Sequence, residues 1–123
     1  MTLDEFRHEM EGYRQAVEKE GEALRDSYHS LDRLYALYEK FDTEERAMAD
    51  QVIAEWALSE DENTRFDARV LIGEFKIRSA LPALEKLVMR LAASKAVGAA
   101  NELELVNRLI ADLTRARPSR PKS

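Results

Sequence analysis

Apolar residues recur through the first third of the chain at strictly alternating steps of three and four. The series is Leu3, Phe6, Met10, Tyr13, Val17, Glu20, Leu24, Ser27, Leu31, Leu34, Tyr38 and Phe41, and only Glu20 and Ser27 break it. Such steps keep side chains on one helix face, with the spacing of a coiled-coil seam. No proline interrupts residues 3–41. Gly12 and Gly21 each weaken a helix by about 1 kcal/mol relative to alanine. Two arrangements fit. One is a single helix, about 57 Å long at about 1.5 Å per residue. The other is a helical hairpin turning near Gly21. A hairpin need not keep heptad phase across its turn, and Lys19-Glu20-Gly21-Glu22 offers one turn residue only. The pattern therefore favours a continuous or kinked helix.

Tyr28, Tyr35 and Leu37 widen the second half of the stripe, which suits packing on the rest of the chain. The first half is narrower. In a single long helix, Leu3, Phe6, Met10, Tyr13 and Val17 would stand in water as a contiguous apolar patch, which monomers seldom tolerate. These five are the candidate partner-binding residues. Their partner is a second copy of the chain, because a symmetric interface needs only one self-complementary surface, or a helix of another protein. In the hairpin the seam folds back on itself and the chain is a monomer.

The remaining periodicity is also helical. Asp42 with Glu45 has capping-box spacing. Ala47, Met48, Ala49, Val52, Ile53, Trp56 and Ala57 then form the buried side of a helix over 44–58, with Trp56 read as core. After a loop at 59–63, Ala68, Leu71, Ile72 and Phe75 share one face of a helix that Asp61, Asn63 or Thr64 can cap. Asp61 and Arg65 are spaced as an i, i+4 ion pair within it. Gly73 lies where another helix can approach closely. Ser79 reads as the cap of the next helix, with Pro82 in its first turn and Leu81, Leu84, Leu87, Val88 and Leu91 as its stripe. Gly98 reads as its end. Asn101 with Glu104 repeats the capping-box spacing, and Leu103, Leu105, Val106, Leu109, Ile110 and Leu113 make the last helix amphipathic. The expected fold is all-α: one helical domain over 1–115, with an N-terminal segment 3–41 and two antiparallel helix pairs over 44–114. Residues 116–123 read as a disordered basic tail.

Part of this order is similar to the HEAT family of α-solenoid repeats. The resemblance runs from Val52 to Leu91. It rests on Asp61, Arg65, Ala68, Ile72-Gly73 and Ala80-Leu81-Pro82-Ala83-Leu84. Thr64 departs from it, since a valine is usual there. The resemblance implies stacked helix pairs and, because most such proteins are scaffolds, a partner-binding role.

Composition narrows the function classes. There is no cysteine, which excludes disulfides, cysteine-ligated zinc and thiol catalysis. No apolar run approaches the roughly 20 residues that span a membrane. The acidic start argues against a signal peptide, so a cytoplasmic location is expected. Net charge is −5, unevenly placed. Residues 1–74 hold 20 acids and 9 bases, and residues 75–123 hold 4 acids and 10 bases. Glu5-x-x-His8 and Asp26-x-x-His29 have the spacing of di-metal ligands. In one continuous helix they would lie about 32 Å apart, so neither metal nor cofactor is expected. No serine elbow or glycine-rich phosphate loop is present, and no enzyme is expected.

The reading that remains is a non-enzymatic protein-interaction module. A concrete version is an immunity or antitoxin-type protein whose acidic surface blocks a basic toxin. Nucleic-acid binding through Lys76, Arg78, Lys86, Arg90, Lys95 and the tail is the other alternative. It sits poorly with a pI near 5.2.

Overall fold

Thr2 opens the first helix by a reciprocal cap. Its hydroxyl accepts from Glu5 N–H at 3.1 Å, and Glu5 Oε1 accepts from Thr2 N–H at 2.8 Å. The computed structural model describes residues 1–25 and 28–115. Among these it has six α-helices and no strand: α1 (Leu3–Leu24), α2 (His29–Lys40), α3 (Thr43–Trp56), α4 (Glu62–Phe75), α5 (Leu81–Ala93) and α6 (Ala99–Arg115). Ser27, the Asp26-x-x-His29 spacing and the tail at 116–123 fall wholly or partly outside the described residues. The chain divides into two compact units, Met1–Val52 and the residues from Ile53 onward.

In the first unit the N-terminal segment is a hairpin. α1 stops at Leu24, where Arg25 turns left-handed (φ 55°) and its N–H bonds the Glu22 carbonyl at 3.2 Å. Contacts then step backward along α1 as they step forward along α2. Glu20 meets His29 at 2.8 Å, the Tyr13 hydroxyl meets the Arg33 carbonyl at 3.4 Å, and the Phe6 and Phe41 rings lie 5.1 Å apart. The two helices are therefore antiparallel. This replaces the continuous helix that the unbroken phase favoured. The turn lies beyond Leu24 and not at Gly21, which is buried inside α1. α3 begins with the expected box, in which Glu45 N–H donates to Asp42 Oδ1 at 2.8 Å and Asp42 N–H to Glu45 Oε1 at 2.9 Å. The Tyr38 hydroxyl donates to Asp50 Oδ1 at 2.8 Å, tying α2 to α3.

In the second unit Asp61 caps α4 by accepting from Thr64 N–H at 3.0 Å. α4 ends at Lys76, which is left-handed at φ 54°. A 3-10 turn, Arg78–Ala80, leads into α5, with Pro82 in its first turn. That turn displaces Ser79 from the capping role its position suggested. α5 ends at Ala93, five residues before Gly98. Gly98 (φ 88°) instead precedes α6, so Asn101 lies inside α6, and Glu104 pairs with Arg108 at 3.2 Å. Arg65 and Arg69 meet Glu102, and Leu109 Cδ1 would lie 3.4 Å from a Cβ at Gly73. Contacts advance together along α4 and α6, so these two run parallel. Arg78, just before α5, donates to the Leu113 carbonyl at 3.2 Å near the end of α6, so α5 runs the other way. Ala68, Leu71, Ile72, Leu84, Leu87, Val106 and Leu113 form the buried core of this unit. Phe75 and Leu81 are half-buried.

Candidate partner-binding surfaces

The five seam residues come together inside the first unit. Phe6 and Met10 are 4% exposed and Val17 is 2% exposed, while Leu3 and Tyr13 are half-buried. Folding α2 back onto α1 covers the stripe that a lone helix would leave in water. What α1 shows to solvent is charge. Over Leu3–Leu24 it carries seven acids and three bases. Asp4, Glu11 and Glu22 fall along one exposed stripe, and Glu5, Glu9 and Glu20 along a second about 140° round the helix. Some of these carboxylates are engaged. Asp4 pairs with Arg7, and Glu5 holds the cap. Glu20 accepts from His29 and lies 3.3 Å from Arg33 Nη1. The His29 hydrogen bond, followed by the Arg33 charge, holds the Glu20 carboxyl below its ordinary range. Glu9, Glu11 and Glu22 add three more exposed carboxylates.

The second unit holds a buried ionic cluster that the spacing did not foretell. Arg65, expected to pair with Asp61, sends Nε to Glu102 Oε2 at 2.7 Å and Nη2 to Glu102 Oε1 at 3.0 Å, a bidentate pair. Its Nη1 donates to the carbonyls of Ser59 at 3.0 Å and Glu60 at 3.1 Å. Arg69 Nη1 lies 3.2 Å from Glu102 Oε2. The three side chains are 14%, 13% and 8% exposed for Arg65, Arg69 and Glu102. Hydrogen bonds from Arg65 and the surrounding guanidinium charges hold the Glu102 carboxyl below its ordinary range. Burial lowers the Arg69 guanidinium. One signal for this cluster does exist in sequence. The α6 stripe Val106, Leu109, Leu113, carried back one turn, lands on Glu102. A charge on a buried stripe needs a counter-charge, but nothing local names Arg65, 37 residues earlier.

A cleft of about 470 Å³ opens beside this cluster. Leu87, Leu91, Val97 and Ala99 supply its apolar wall, and Glu60, Glu62 and Arg90 its charged one. Arg90 Nη2 donates to the Leu58 carbonyl at 2.8 Å, so two arginines hold the turn between α3 and α4. Val97 is fully exposed.

For other chemistry the geometry is less favourable. Glu5 of the first metal-like spacing is committed to its cap, and His29 of the second to Glu20. Among the described residues no group of three or more His, Asp or Glu side chains is arranged to hold a metal ion. No helix among them is long and apolar enough to cross a membrane. Trp56 is buried at 3% exposure. No family model, no curated protein and no solved structure matches the chain.

Proposed function

We propose that this chain is a non-enzymatic protein-interaction module, a small HEAT-like helical scaffold, and that its partner is a basic protein. The observation that carries the reading is the division of labour on α1. Its apolar stripe is spent inside the hairpin, and its exposed faces present two stripes of carboxylates. Such a surface speeds and selects encounter with a positively charged partner more than it adds raw affinity. The Arg65–Glu102–Arg69 cluster supports a scaffold role in the second unit, since its charges are engaged with one another and with backbone carbonyls. The immunity or antitoxin-type reading is the specific form that the same acidic face favours. A homodimer through Leu3, Phe6, Met10, Tyr13 and Val17 loses its rationale once the hairpin buries that stripe.

The test is affinity capture from the native cell with wild type and with a Glu9→Lys, Glu11→Lys, Glu22→Lys variant. A basic protein is expected to co-elute with wild type and to survive nuclease treatment. The variant is expected to associate at least about tenfold more slowly at low salt. The gap should narrow at 0.5 M salt, where exposed charges are screened. Recovery of nucleic acid alone, or equal capture by both proteins at all salt concentrations, would overturn the reading.

A further inference from the structure

We draw no further inference here: the strongest candidate, the cleft beside the Arg65–Glu102 pair in the second unit, is lined by carboxylates and guanidinium groups that largely balance one another, and nothing in the structure shows what fills it.

Discussion

Glu102 answers two guanidinium groups at once, Arg65 and Arg69, in a place where none of the three is much exposed. Removing one member of such a cluster leaves the others desolvated without a counter-charge. Glu102→Gln keeps an acceptor but loses the charge, and should cost about 3 kcal/mol in urea denaturation at pH 7. The pH dependence has a defined sign. Because Glu102 is held below its ordinary 4.5, the folded state binds fewer protons there than the unfolded state. Its contribution is fully present above 4.5 and is lost as pH falls through the lower folded value. The variant should lack that part of the acid sensitivity. Asp50 behaves in the opposite sense. Burial, ahead of the opposing Tyr38 hydrogen bond and Arg46 charge, holds it above its ordinary 3.8. Its protonated form is the one the fold prefers, so stability linked to it is greatest at low pH and falls as pH rises through the folded value. Asp50→Asn keeps an acceptor for the Tyr38 hydroxyl and removes a half-buried charge. Thermal melts should show a small gain at pH 7, below about 1 kcal/mol, that closes at pH 3.

At the scale of elements, helix ends decide where the chain turns. Lys76 sits left-handed at the end of α4 with its N–H on the Ile72 carbonyl. A side chain in that conformation is strained, and glycine is the usual solution. Lys76→Gly should therefore raise stability by up to about 1 kcal/mol in chemical denaturation. A loss would show that the lysine side chain holds the turn through contacts of its own. The cap at Asp42 was legible because it depends on residues three apart, whereas the sequence left Asp61, Asn63 and Thr64 open for α4 and the structure selects Asp61. The hairpin turn was less so. Its signal is the pair of polar seam positions, Glu20 and Ser27, that bracket the solvent-exposed Leu24. Both arms of a hairpin present a three–four stripe, so unbroken phase does not distinguish a fold-back from one long helix.

For the molecule as a whole, the hairpin changes what the apolar seam can do. Light scattering should return the mass of one chain, 14.1 kDa. Met10→Glu should unfold the first unit and not merely shift an association equilibrium, because Met10 is 4% exposed within one chain. Circular dichroism separates these outcomes: a folded variant alongside a wild-type dimer would show that the seam faces a second copy.

Local periodicity was enough to determine an all-helical chain, several of its helix boundaries, the cap at Asp42, and burial of Ala68, Leu71, Ile72, Leu84 and Leu87. Those properties depend on neighbours within one or two turns. Tertiary structure alone decided that α2 folds back onto α1, that Arg65 serves Glu102 across 37 residues, and that the helix meeting Gly73 is α6, through Leu109. Each of these is a contact between separate helices. Its cost and gain depend on which faces meet, and a three–four spacing specifies a face without specifying its partner.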